Sequence, residues 1–527
     1  MTLPTRLTYR QLAMALSALT SKEKDRLDAL QLAYERGLFP DLRLLSPALE
    51  LLEDKGVKVS EYASEYILPA FGRAVLPYVE DGFHMKGKKL EANKLLVIAA
   101  VRDEEVDDLV LQCVKKGSST VRKAAVRSMS GKLRFQQELI AQTSSRNSGI
   151  QEEAFRALAE CQSELAVQHI LNAYMSKAND VIDSVIRSHR NPQLDEKILQ
   201  YMHALLDRGC EWLDDEGKQA QGRYFLQRFL LAMRDRSVER LHDFFRRAAE
   251  EHPFVRDLGW HKLIYDEAVR YSRLMGSRKE LELMFVLESL DGDYMLEAVP
   301  MAFSIFSQKE FYEHYIALLN DKRTTGAVEQ FQSFLKRFKQ ATRALMQEQL
   351  AEVEDELYRG SVSRYYGRWM EAQSQAPCRD MWDERWLDWA IEHDDPVMVG
   401  VLARPDHEGC RAYMEHALLL EQQELSYTIA VELLLLGMVR ARMESECKWE
   451  AIMRVIEHPD NTNIREFSHS FIYIHADGMP SCYRERLEER LSRYRKWSWS
   501  LRQVEGILNQ MNVRDDKPLS FITFNKS

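Results

Sequence analysis

A repeat of about thirty residues between positions 90 and 207 limits what this chain can fold into more than any other feature. It anchors on Val121 in TVRKAAVRSMSG, Ile150 in GIQEEAFRALAE and Val181 in DVIDSVIRSHRN, in steps of 29 and 31 residues. Six positions after each anchor stands an arginine (Arg127, Arg156, Arg187), preceded by the apolar pairs Ala125-Val126, Ala154-Phe155 and Val185-Ile186. Ahead of each anchor lies a second amphipathic segment: VDDLVLQCVKKG, FQQELIAQTSSRN and LAVQHILNAYMSKAN. Each unit reads as two short helices joined by a polar turn, and KLEANKLLVIAAV as the second helix of an earlier copy. One such hairpin cannot bury its apolar stripe alone, so the units must stack. Val121, Ala125, Ile150, Ala154, Val181 and Val185 are expected to be buried between layers.

The rest of the chain extends this picture. Glycine (22) and proline (14) are sparse among 527 residues, so long helices with short connections are expected. The fold class that follows is all-α, an α-α superhelix with irregular helical N- and C-terminal parts. Residues 1–80 read as a helical cap, in which Ser46-Pro47 opens a helix. Residues 81–207 hold the repeats, and 208–360 hold longer helices, including one that starts at Val328. Residues 361–527 show short helix pairs again, with ELSYTIAVELLLLGMVRARMES as their central helix. RGSVSRYYG reads as a linker. The tail NVRDDKPLSFITFNKS reads as an extended strap or a frayed end.

The string VRKAAVRSMSG resembles the second helix of HEAT repeats, in the short form found in phycobilisome-lyase-like HEAT proteins. Val121-Arg122, Ala125 and Met129 stand where that pattern has Val-Arg, Ala and Leu. Gln151 and Ile182 replace Arg122 in the next two copies, so the arginine ladder that ties HEAT units together is not expected to continue unchanged. GLFPDLRLLSPALELL and EYILPAFGRAVLPYVEDGF resemble the N-terminal part of bacterial HEAT proteins that often accompany MoxR-type AAA ATPases. The resemblance implies such an ATPase system as a partner.

The formal net charge of -10 opposes a phosphate backbone or an anionic membrane as the main partner. Seven scattered cysteines without a Cys-x-x-Cys pair suit a reducing cytoplasm. The N-terminus lacks the features of a signal peptide, and the longest apolar run, Leu95 to Val101, is too short to span a bilayer. A cytoplasmic location is expected.

Catalytic patterns are thin. HEAT-like di-iron hydroxylases need several His-Glu pairs, and this chain has one, His407-Glu408. His469, His475 and Cys482 are zinc-compatible types without helical ligand spacing or an obvious fourth ligand. There is no glycine-rich phosphate loop, HExxH or G-x-S-x-G elbow. No catalytic residue, metal or cofactor is therefore expected.

Two clusters remain as candidate partner surfaces. Trp382, Trp386 and Trp389 form one helical stripe, either a core face or an aromatic anchor groove rimmed by Asp383, Glu384 and Asp388. Arg484, Arg486, Arg490, Arg493, Arg495, Trp497 and Trp499 lie in a basic, aromatic segment. Its interleaved glutamates also suit an ordinary ion-paired helix. The acidic runs at 102–108 and 352–356 read as helix starts and solvated faces. The expected function is a non-catalytic scaffold for a protein partner. A nucleic-acid-associated HEAT-like protein, binding or DNA glycosylase-like, and a lyase or chaperone of the HEAT type are the alternatives.

Overall fold

The computed structural model describes residues 7–23, 25–176, 180–320, 328–358, 377–419, 429–458 and 479–491, with Glu505 and Leu508. Every regular element among these residues is helical. The chain divides into two compact units, Met1–Glu267 and Ala268–Ser527.

The first unit opens with α1 (Tyr9–Thr20), α2 (Arg26–Glu35), α3 (Leu45–Glu50), α4 (Val57–Tyr62) and α5 (Leu76–Glu80). Thr8 and Gln11 cap α1 reciprocally, so two otherwise orphaned N–H groups are satisfied. Ser46 is not the helix start expected for it. Asp41 takes that role, accepting from the Arg43 backbone N–H and opening a 3₁₀ turn that runs into α3. Asp41 wins because it is buried with the Arg43 guanidinium bound to its carboxylate, which lowers its pKa below the ordinary range.

The repeats follow as α6 (Lys89–Arg102), α7 (Asp107–Lys116), α8 (Ser119–Ser128), α9 (Gln136–Gln142), α10 (Ser148–Ala159), α11 (Glu164–Ser176) and α12 (Asp180–Ser188). Ser118 and Asn147, each three residues before an anchor, accept the Val121 and Ile150 backbone N–H groups. The caps therefore repeat with the period. Helices α6, α8, α10 and α12 pack on one another in one layer, and α9 and α11 belong to the other. Val121, Ala125, Ile150, Ala154 and Val185 are buried as expected. Val181 is only half-buried and Ile182 is buried in its place.

Stacking continues past position 207, which lies inside α13 (Pro192–Gly209). Helix α13 packs against α14 (Glu216–Met233) and α15 (Arg240–Glu250), and α14 packs against α12. The helices lengthen to 18 residues here, which hides the period without ending the stack. Side chains from each unit cap the helix ends of the one before. Asn191 donates to the Ala159 carbonyl and Arg228 to the Tyr174 carbonyl. Arg236, fully buried, donates to the Ile186 and His189 carbonyls and to Asp195.

In the second unit, the 31-residue helix Val328–Tyr358 packs on Met295–Ile305. The acidic run at 352–356 falls in its last turns, not at a helix start. Short helices then form two layers again. Pro377–Asp380, Pro396–Leu402 and Ile429–Arg440 make one layer. Arg385–Glu392, Glu408–Leu419, Ser445–Glu457 and Arg484–Leu491 make the other. Ile429–Arg440 is central as expected, with Leu433, Leu434, Leu435, Leu436 and Met438 all buried. It crosses Pro396–Leu402 where Gly437 meets Gly400. Arg440 reaches across the contact to donate to the Gly400 carbonyl at 2.6 Å.

That crossing sets the sign of a substitution. Alanine in place of a helical glycine normally stabilises by about 0.8 kcal/mol. A Cβ on Gly400 would lie 2.6 Å from the Leu433 backbone, which cannot rotate away. Gly400→Ala should therefore destabilise by about 2 kcal/mol. Chemical denaturation checks it, and a raised midpoint would show that the two helices separate freely.

The same unit buries an acid. Glu288, on helix Arg278–Leu290, is 8% exposed, and neither carboxylate oxygen has a hydrogen-bond partner among the described residues. The buried Tyr315 hydroxyl lies beside it without hydrogen-bond geometry. Burial raises the Glu288 pKa to about 7, against a smaller lowering by Tyr315. The folded state thus holds a proton that the unfolded chain releases in the ordinary carboxylate range. Stability from this group is full below that range and is lost as pH rises to about 7, by roughly 3 kcal/mol. Glu288→Gln should flatten this part of the stability-pH curve, and denaturation in mild acid and near neutrality reads it. Parallel curves for the two proteins would mean that Glu288 does not hold the proton.

Candidate binding groove

Neither C-terminal cluster forms an open binding wall. Trp382, Trp386 and Trp389 are buried, so the stripe is core and the anchor-groove reading is corrected. Trp386 stacks on Phe338 with centroids 5.4 Å apart, and Trp382 Nε1 donates to Gln349 at 3.1 Å. A stripe at helical spacing looks the same in sequence whichever surface it meets. Here it meets the helices Gln308–Asn320 and Val328–Tyr358. The acidic rim pairs locally, Asp383 with Arg385 and Asp388 with His407. His407 is a helix cap, its Nδ1 accepting the Cys410 backbone N–H.

The basic helix is also committed to the fold. Arg486 is shared between Glu450 and Glu457 through four contacts of 2.7–2.9 Å. Arg490 is buried and donates to the Ile456 and His458 carbonyls. Arg484 is half-buried on the same helix. Arg493, Arg495, Trp497 and Trp499 lie outside the described residues, as do His469 and His475, and Cys482 is exposed. Among the described residues, no group of three or more His, Cys, Asp or Glu side chains is arranged to hold a metal.

The surface that does gather functional groups lies in the first unit. Between α4 and α5 the helix widens into a π turn over Ala63–Ile67, shown by the Leu68 N–H bonding Ala63 at 2.9 Å. Pro69 follows, without the N–H that would close an ordinary turn on Glu65. The widened turn aims Glu65 and Tyr66 at the layer α6–α8–α10–α12. Helices α6, α8, α10 and α12 pack in series along this layer. The result is a groove of about 830 Å³. Ala100 of α6 and the repeat-equivalent Ser128, Ala157 and Ser188 line it.

Two of the three periodic arginines border this groove. Arg127 contacts Glu65 at 2.5 Å, Glu61 at 3.2 Å and Glu153 at 3.7 Å, joining the N-terminal cap to two repeats. Burial alone would lower its pKa, but the three carboxylates outweigh that and raise it. Arg156 pairs with Glu152, one turn back on its own helix. Arg187 instead faces solvent, donating to the Asp183 carbonyl, and His189 lines the groove. Lys132 also lines it, paired with Asp103 at 3.0 Å. The groove is thus a mixed-charge surface with a small-residue lining. The arginine period was visible in the sequence, but its carboxylate partners were not.

Paired helices stacked in two layers define an all-α helical-repeat protein. No family model matches the chain, and no curated protein matches it. Among solved structures, yeast importin-β (Kap95p) is similar at 11% identity and a TM-score of 0.28, over 97% of this chain and 69% of that one. Among the described residues, no helix is long and apolar enough to cross a membrane.

Removing Arg127 would leave Glu61, Glu65 and Glu153 facing one another. Arg127→Met should cost about 2 kcal/mol. The loss should be larger near neutrality than in mild acid, where the carboxyls can take up protons. Melting at the two pH values reads it. An equal loss at both would mean the arginine acts by packing alone.

Proposed function

We propose that the chain is a non-catalytic helical-repeat scaffold that holds an extended segment of a protein partner in the groove on the α6–α12 layer. The observation that carries this reading is the groove itself, continuous across successive repeats and lined by repeat-equivalent residues. Such a surface suits a chain running across the repeats. Its acidic side chains make it a poor match for a phosphate backbone. The likeness of Val121-Arg122, Ala125 and Met129 to short HEAT repeats of phycobilisome-lyase-like bacterial proteins supports a scaffold role. The N-terminal resemblance suggests a MoxR-type AAA ATPase system as the partner class. Buried Cys113, Cys161 and Cys410 fit a reducing cytoplasm, and burial pushes the Cys113 thiol up to about 11, away from reactivity.

Groove filling tests the proposal. Ala100 and Ser188 are exposed and line the groove, so tryptophan there blocks it without entering the core. Ala100→Trp with Ser188→Trp should abolish capture of the partner from native cytoplasm. Gln168→Trp, exposed on α11 in the other layer, should leave capture intact. Equal capture by the blocked and control proteins, all melting alike, would remove the groove as the binding surface.

A further inference from the structure

A second groove lies on the N-terminal cap, and it shares no lining residue with the first. The 3₁₀ turn Leu42–Leu44, helix α3 and the 3₁₀ turn Leu51–Glu53 follow one another without a break, so this stretch presents its side chains at helical spacing. Leu42, Leu45, Leu49 and Leu52 fall in steps of three, four and three, which puts them on one face. That face, with Tyr78 of α5 and Leu90 of α6, lines a groove of about 550 Å³. Leu45 and Leu52 are buried, while Leu42 is 45% and Tyr78 58% exposed. Exposed apolar side chains gathered around a groove mark a surface that another chain covers.

The charges along the groove say what kind of chain. Lys94 lines it but is committed to the cap, its Nζ donating to the Asp81 carbonyl at 3.1 Å and pairing with Glu91 at 3.7 Å. Lys89, on the same helix, donates to the Asp54 carbonyl at 2.7 Å, and the Asp54 carboxylate is taken by Arg26. Glu50 and Glu53 also line the groove. Both are exposed, and neither carboxylate makes an ion pair or a hydrogen bond among the described residues. The cations are used within the fold, and two carboxylates are left for a cation from outside.

We propose that this groove docks a basic amphipathic α-helix of a protein partner, its apolar side chains set between the leucine face and Tyr78, with a lysine or arginine beside Glu50 and Glu53. A seam with steps of three and four matches the rows of another helix, whose apolar residues recur at the same spacing. An acidic helix, a phosphate backbone or an anionic membrane would meet Glu50 and Glu53 as like charges. This surface is additional to the groove on the α6–α12 layer.

The test titrates the full chain into a trace of the fluorescein-labelled peptide LKKLLKLLKKLLKL, a basic amphipathic helix, read by anisotropy. Wild type should bind with a dissociation constant of roughly 10 μM, and the peptide with glutamate for lysine roughly tenfold or more weakly. Leu42→Ser with Tyr78→Ser should weaken binding roughly tenfold, as should Glu50→Lys with Glu53→Lys. All four positions are exposed, and the glutamate pair decides the matter if the apolar pair does not fold. Asp214→Lys with Glu216→Lys, exposed at the start of α14, changes the net charge equally and should leave binding intact. No binding to wild type, equal binding of the glutamate peptide, or unchanged binding in a folded groove variant overturns the proposal. An equal loss in the control pair does so too, since it would mean charge attraction alone. Loss of binding in Ala100→Trp with Ser188→Trp would put the helix in the other groove, again overturning it. So would a wild-type dimer that Leu42→Ser with Tyr78→Ser dissociates, because the surface would then belong to a second copy of the chain.

Discussion

The stack depends on what happens at the ends of its helices. Short helices leave a large share of their backbone carbonyls without an internal partner, and in a solenoid these ends lie against the next unit. Here a cation or amide from a neighbouring helix supplies the missing donor. Arg228 caps α11 and Arg236 caps α12. Arg440 and Arg454 cap Pro396–Leu402 and Glu408–Leu419, and Arg490 caps Ser445–Glu457. Each bond also places a positive charge at the negative end of a helix dipole. A charged hydrogen bond of this kind contributes about 1.5–3 kcal/mol. Because it joins two units, it fixes their register as well as their stability.

This device also serves repeats that carry no arginine at the position of Arg122, where Gln151 and Ile182 stand. For Arg122 the sequence resemblance implies a ladder along one layer. Arg228 and Arg236 do equivalent work from the following helices, reaching back to carbonyl groups that a side chain at 151 or 182 would not have to serve. Gln151 itself still donates to a carbonyl, that of Thr143. Register is held by the geometry of the contact, so the identity of the residue at one repeat position is free to drift.

Much of this was readable from sequence where periodicity dictates it. The anchors, the helix pairs and the burial of Ala125 and Ala154 follow from apolar spacing, because only one helix face can carry such a pattern. What sequence could not supply was the partner of a given side chain. Val181 sits at the right spacing, but it is only half-buried, Ile182 beside it is buried, and Arg187 faces solvent. The tryptophan stripe is identical as pattern whether it meets Phe338 or a ligand, and only the path of the chain between distant helices decides. The basic residues Arg486 and Arg490 read as a free surface because Glu450, Glu457 and the Ile456 carbonyl lie some thirty residues away in sequence.

The groove follows from the same constraint acting unevenly. Where a cation finds a helix end or a local carboxylate, as Arg236 and Arg486 do, its charge is spent within the fold and nothing remains for a partner. At the α4 end the balance is different. The π turn before Pro69 delivers Glu65 to Arg127, which also serves Glu61 and, with Lys123, pairs Glu153 at 3.6–3.7 Å. That cluster borders the groove, so the ion pairs that join the cap to the repeats leave charge of both signs along a surface open to solvent.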